Sequence, residues 1–354
     1  MGQKYLMKGN EAIAEAAIRA GCKHFFGYPI TPQTEVSAYM SKQMPKIGGT
    51  FLQAESEIAA INMVLGASSC GVRAMTSSSS PGISLKSEGI SYIAGSDLPC
   101  VILNVMRGGP GLGGIQPSQA DYWQATKALG HGDFQLLVFA PSTVQEIVDM
   151  IGLSFDLAEK YRMPALILAD GLLGQMMEPV EFPEPALVKS PKEKSWATST
   201  TEEKRKPNII NSLYLKPDQL ENTIVERFKR YDVIKETEVR ADEYLTDDAE
   251  IITVAYGTTA RVVRSAVDRA RAEGIKVGMI RPITLWPFPA QIISDAAQKV
   301  DNMLVVEMSM GQMVEDVRLY ANGKCNVEFF GRTGGIVPSP NEVYEQIKKI
   351  GGVR

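Results

Sequence analysis

Along the first half of the chain, short apolar runs alternate with segments whose apolar residues recur every three or four positions. The runs at His24–Tyr28, Thr50–Ala54, Val72–Thr76, Cys100–Met106, Gln135–Ala140 and Ala165–Ala169 predict strands. Between them, Asn10-Glu11 opens a helix with Ile13, Ala16, Ala17 and Ala20 at helical spacing, closed by Gly21. Glu57 to about Cys70, Ser84–Ala94 and the long stretch Ser142–Tyr161 read as further helices. A strand that is apolar without alternation is buried on both faces. The pattern therefore predicts an α/β fold, a parallel sheet with helices on both faces.

From Glu181 to about Asp248 prolines and charges accumulate, as in PVEFPEP and KEKSWATSTTEEKRKP. This stretch reads as a connecting region, partly helical near Asp218–Lys235. A second α/β unit begins with the strand Ile251–Tyr256 and the amphipathic helix Thr259–Ala272, which puts Val262, Val263, Ala266, Val267 and Ala270 on one face. Strands at Ile275–Ile280, Met303–Glu307 and Asn326–Phe330 follow. The expected division is 1–180, 181–248 and 249–354.

Composition narrows the chemistry. With 354 residues and 44% hydrophobic content the chain can bury a sizeable core. A net charge of -4 argues against nucleic acid, which needs concentrated positive charge. No run reaches the roughly 20 apolar residues of a membrane span, and MGQKYLMKGNEA lacks a signal-peptide core, so a cytoplasmic protein is expected. The four cysteines are scattered without a CxxC pair, and His24 and His131 are the only histidines. A sequence-local zinc or iron–sulfur motif is missing and no metal ligands are assigned. Chemistry must then lean on carboxylates, an arginine, hydroxyls or a borrowed cofactor.

In an open parallel sheet, ligands sit beyond the carboxyl ends of the strands. The first such end is Tyr28-Pro29-Ile30-Thr31-Pro32, where Thr31 suits a helix N-cap and Pro32 the first helical residue. The second is Gln53-Ala54-Glu55-Ser56-Glu57, leading into a helix apolar all round and so buried. Its carboxylate either complements the helix dipole or shares a proton with a ligand nitrogen, and spacing leaves Glu55 and Glu57 both open. The third is Arg107 before Gly108-Gly109-Pro110-Gly111-Leu112-Gly113-Gly114, suited to an anionic group. Gly109, Gly111 and Gly114 also fit G-x-G-x-x-G, a poor match because of Pro110 and Pro117 and the want of a ribose-binding acid. The run Thr76–Ser80 with Pro81-Gly82 reads as a polar loop.

GYPITPQTEV, FLQAESEIAAINMVLGAS, TSSSSPGISL and NVMRGGPGLGG with IQPSQADYWQATKALGHGD, in this order, resemble the alpha subunits of the 2-oxoacid:ferredoxin oxidoreductase family. AYGTTARVVRSAV, GMIRPITLWPFP and VVEMSMGQM resemble the carboxyl-terminal domain of the transketolase class. Within the family the likeness is greatest to the branched-chain member, which acts on 3-methyl-2-oxobutanoate (2-oxoisovalerate).

The resemblance implies a thiamine-diphosphate-binding fold, with a pyrimidine-type domain followed by a transketolase C-terminal-like domain. It implies that Glu57 hydrogen-bonds ring nitrogen N1′ of thiamine diphosphate, activating it for oxidative decarboxylation. Tyr28, Pro29, Ile30 and Thr31 would line the cofactor, with Thr31 touching the 2-oxoacid and helping to admit coenzyme A. Arg107 would bind the substrate carboxylate or the developing oxyanion. No GDG motif is present to hold magnesium and the diphosphate. A beta subunit is thus expected to bring that site with its Mg2+, and gamma and ferredoxin-like subunits the iron–sulfur clusters. The competing readings are the 2-oxoglutarate-specific sister subunit and a non-catalytic structural subunit retaining the fold.

Overall fold

The computed structural model describes residues 3–186, 194–199 and 205–352. Residues 187–193 and 200–204, within the stretch read as connecting, lie outside the described residues. Two sheets organise the chain. The first has seven strands in the order Thr284–Trp286, Leu137–Phe139, Pro164–Asp170, Cys100–Met106, Ala74–Ser78, His24–Gly27, Thr50–Gln53. Six run parallel, and only Thr284–Trp286 is antiparallel to its neighbour. The continuous apolar character of Cys100–Met106 has a direct cause. Val101, Leu103 and Val105 enter one hydrophobic core while Cys100, Ile102 and Met106 enter another on the opposite face. Truncating a side chain there, as in Ile102→Ala, costs about 2–5 kcal/mol through lost burial and the cavity left behind.

Helices Gly9–Arg19 and Val144–Tyr161 cover one face of this sheet, and helices Glu57–Ser69 and Ser80–Gly95 the other. The last two approach closely because glycines stand at the contact. A Cβ on Gly89 would lie 2.4 Å from Ile61 Cγ2. The second sheet has five strands in the order Asn326–Gly331, Asn302–Glu307, Ile251–Val254, Val277–Pro282, Ala241–Tyr244, the last antiparallel. Among the described residues no helix is long and apolar enough to cross a membrane.

Several elements differ from the sequence expectation. The strand expected at Val72–Thr76 is displaced to Ala74–Ser78, and the serine run is no loop. Ser77 and Ser78 are strand residues, Ser79 holds the N-cap position without a side-chain capping bond, and Ser80 already begins a helix, started by Pro81 in its first turn. Ala241–Tyr244 and Thr284–Trp286 carry too few apolar residues to announce strands, and their pairing depends on distant partners. The same holds for the two-stranded pair Lys4–Lys8 and Met177–Glu181. The Glu57 helix is not buried all round: Ile58 is half exposed and Asn62 is exposed. Helix Pro217–Thr237 packs Tyr231 edge-on against Trp286.

Candidate active site

Because the strands are parallel, their carboxyl ends gather at one edge, and the sheet order sets the neighbours there. Arg107, Ser78, the Tyr28–Thr31 loop and Glu57 follow four adjacent strands in turn. Arg107 is buried, and its Nη1 donates to the Thr31 carbonyl at 3.0 Å while Nη2 donates to the Leu112 carbonyl at 3.1 Å. Two of the five donors of its guanidinium are thereby used, and Nε is buried without a partner. The Arg107 backbone N–H donates to Ser80 Oγ at 3.0 Å, tying this strand end to the start of the next helix.

Thr31 is not the N-cap expected of it. The helix begins at Thr34, preceded by Gln33, and Thr31 is exposed. Gln33 is fully buried; its N–H closes a turn on Ile30 O, its Nε2 donates to Tyr28 O and its Oε1 accepts from Ser77 Oγ at 2.5 Å. The Pro32 carbonyl is also held, by Asn10 Nδ2 at 2.7 Å. These anchors delay the helix and leave the Thr31 hydroxyl facing outward on a fixed loop. Tyr28 and Ile30 are half-buried and Pro29 is exposed.

Glu57 and Glu55 separate cleanly. Glu55 is exposed, whereas Glu57 is only 6% exposed at the first position of its helix, with Ser56 capping through a bond from Ala59 N–H at 3.2 Å. No hydrogen bond from any described residue reaches the Glu57 carboxylate. It lies against Gly82: a Cβ there would stand 2.8 Å from Glu57 Oε1 and 2.1 Å from Ser78 Oγ. Ser78 and Ser79 are fully buried, and both hydroxyl oxygens lack partners. Buried polar atoms are nearly always paired, so the orphaned Ser78 hydroxyl close to this carboxylate marks a place kept for something else. Sequence reasoning took Ser78, Ser79 and Gly82 as part of a polar loop and assigned them no role, although their position between an apolar strand and Pro81 was a usable signal.

The glycine loop makes no dinucleotide turn. It folds back through Gly108 N–H to Gln116 O at 3.0 Å and a bridge between Arg107 and Pro117, with no helix opening after Gly114. A cleft of about 780 Å3 lined by Trp286, Phe288 and Tyr320 shares no residue with the strand ends. Its size does not outweigh the unpartnered polar groups beside Glu57.

Other buried carboxylates are satisfied. Asp170 caps its helix through Leu172 and Leu173 N–H, at 2.9 and 3.1 Å, and accepts from the Thr258 hydroxyl. Burial pushes its carboxyl up to about 6, against the pull of those bonds. Gln119 clamps the two sheets together, donating to Tyr256 O at 2.9 Å and accepting from Thr259 Oγ1 at 2.7 Å and Met308 N–H at 3.0 Å.

Residues 15–243 match the thiamine diphosphate-binding family of pyruvate flavodoxin/ferredoxin oxidoreductase, and residues 249–343 match pyruvate:ferredoxin oxidoreductase core domain II. The chain is 50% identical to ketoisovalerate oxidoreductase subunit VorB of Methanothermobacter thermautotrophicus, covering 98% of both chains. It is 36% identical to 2-oxoglutarate synthase subunit KorA of the same organism, covering 99% of this chain and 100% of that one. Among solved structures it superposes with a TM-score of 0.86, at 28% identity, on the 2-oxoglutarate:ferredoxin oxidoreductase from Magnetococcus marinus with 2-oxoglutarate, coenzyme A and succinyl-CoA bound. That match covers 98% of this chain and 65% of the other. A split-gene transketolase, 14% identical with a TM-score of 0.61, shares the fold alone. With a family match over most of its length and relatives this similar end to end, the chain belongs to the 2-oxoacid:ferredoxin oxidoreductase family, as an alpha-type subunit.

Proposed function

We propose that this chain supplies the pyrimidine-side half of a thiamine-diphosphate site, in an enzyme that oxidatively decarboxylates 3-methyl-2-oxobutanoate with coenzyme A. The observation that carries the reading is the Glu57 carboxylate, buried yet without a hydrogen bond from the described residues, lying against a glycine beside the unpartnered Ser78 hydroxyl. These residues fit an aminopyrimidine edge. The missing Cβ of Gly82 lets Ser78 Oγ and the Glu57 carboxylate close in on this turn, Glu57 would accept or share a proton at N1′, and Ser78 offers spare polar capacity. When bound, thiamine diphosphate supplies the acidic carbon that attacks the 2-oxo group and the sink for electrons released with carbon dioxide.

The chain's own groups do the rest. Arg107, held by two loop carbonyls, keeps further donors for a carboxylate or oxyanion. The exposed Thr31 hydroxyl is placed to meet the 2-oxoacid or admit coenzyme A. The branched-chain substrate is supported by 50% identity to a ketoisovalerate oxidoreductase subunit against 36% to a 2-oxoglutarate synthase subunit. A beta subunit completing the site with Mg2+ and the diphosphate contacts, with gamma and ferredoxin-like iron–sulfur subunits beyond it, is supported by the apolar surface around these strand ends. Leu52, Ile58, Leu85, Ile115 and Leu112, the last 84% exposed, sit on the elements that carry the site.

The test is Glu57→Gln in the reconstituted complex, assayed by viologen reduction with a panel of 2-oxoacids. Turnover should fall at least about a hundredfold with assembly intact. Undiminished turnover would overturn the role of Glu57, and a preference for 2-oxoglutarate would overturn the substrate.

A further inference from the structure

Lys86 is fully buried, which is rare for a lysine without a task. It stands on helix Ser80–Gly95 between Gly82 and Gly89, one turn from each, on the face packed against helix Glu57–Ser69. The register of that contact is set by the two glycines. A Cβ on Gly82 would lie 2.8 Å from Glu57 Oε1, and one on Gly89 would lie 2.4 Å from Ile61 Cγ2. Glu57 and Ile61 are themselves one turn apart. Lys86 therefore lies on the helix face that makes both contacts, within electrostatic reach of the carboxylate but without a direct ion pair to it.

Its ammonium donates to Thr76 Oγ1 at 2.6 Å and to the Ser77 carbonyl at 3.0 Å. Both acceptors are neutral, so the strand takes up two of its three hydrogens without balancing its charge. Burial pushes the Lys86 ammonium down to about 7, and Glu57 is the charge that opposes that fall. An unpaired charge in such a place is expensive, and a facing carboxylate is what makes it tolerable.

We propose that Lys86 is a positioning residue for Glu57: its ammonium is the buried counter-charge that holds the Glu57 carboxylate against Gly82, in the orientation that meets a ring nitrogen. The inference rests on the reading that Glu57 meets the aminopyrimidine. Lys86 itself touches neither substrate nor cofactor. It acts by keeping a charged acceptor in place where no hydrogen bond from the described residues does so.

Two measurements test it. In the full chain without cofactor, Lys86 is titrated by nitrogen-detected NMR in the wild type and in Glu57→Gln. Removing the carboxylate should lower the Lys86 midpoint by one unit or more, a tenfold loss of proton affinity. An unchanged midpoint overturns the pairing. In the assembled enzyme, Lys86→Met should lower kcat at least tenfold with KM little changed and a displaced pH profile, while Lys86→Arg restores much of the loss. Equal kcat and an unmoved profile in Lys86→Met overturn the proposal. Should Lys86→Met fail to assemble, the titration decides alone, since it needs only the wild type and Glu57→Gln. A shifted midpoint together with full turnover in Glu57→Gln would uphold the pairing and overturn the catalytic reading of Glu57, so the two fail separately.

Discussion

Glu57 and Glu307 occupy comparable places, each where a strand of one of the two sheets hands over to a helix, and both are buried. Their surroundings differ sharply. Glu307 accepts from the N–H groups of Gln312, Met313 and Val314, at 3.1, 3.1 and 2.9 Å, and from Ser309 Oγ at 3.0 Å. Burial pushes its carboxyl up and these bonds pull it back. It closes off a helix start and has little capacity left. Glu57 leaves the capping to Ser56, receives no bond from the described residues, and packs against Gly82 within electrostatic reach of the buried Lys86 ammonium. One carboxylate finishes the fold. The other keeps its acceptors free, and a largely buried carboxylate with free acceptors is available to a ligand.

Mutation can break that contrast. The largest effect is expected at Glu307→Ala, which orphans three helix N–H groups and should destabilise the chain by about 4 kcal/mol. The denaturation midpoint measures it, and Glu57→Gln should move that midpoint far less. Equal losses in the two variants would erase the distinction.

Next is Asp170, whose carboxyl burial raises to about 6. Between about pH 4 and about 6 the folded chain keeps a proton that the unfolded chain has released. Stability should therefore fall as pH rises through that window, by at most roughly 3 kcal/mol. Asp170→Asn retains a capping side chain and should flatten this slope, read from denaturation midpoints across the window. A slope identical to that of the wild type would place the proton elsewhere.

Smaller in energy, but confined to the working end, is Gly82→Ala. The added methyl would stand 2.8 Å from Glu57 Oε1, and should lower kcat/KM about 10- to 100-fold by displacing the carboxylate. Binding and turnover kinetics beside a thermal melt separate this from unfolding.

Legibility followed the range of the interactions. The strand Cys100–Met106 and the helix Val144–Tyr161 were readable because burial on two faces, or along one stripe, imprints a local period. Thr284–Trp286 and Ala241–Tyr244 were not, since short edge strands owe their pairing to partners far along the chain. Thr31 was misjudged as a cap for a related reason. The competing anchors on Gln33 and Pro32 come from Tyr28 in the same loop and from Ser77 and Asn10 across the fold. Spacing proposed Arg107 and left Glu55 and Glu57 level. Only burial separates the two glutamates, and burial is a property of the packed helix pair.

The sequence by itself determined the alternation of strand and helix, the parallel sheet and the chemical residues at its strand ends, because hydrophobic period and turn chemistry act over a few residues. Tertiary structure decided which of those residues share a site. Strand order brings Arg107, Ser78, Thr31 and Glu57 to adjacent strand ends, and two glycines let the helix carrying Lys86 pack closely on the helix that Glu57 opens. Electrostatic pairing and steric room depend on distances in space, which no local pattern encodes.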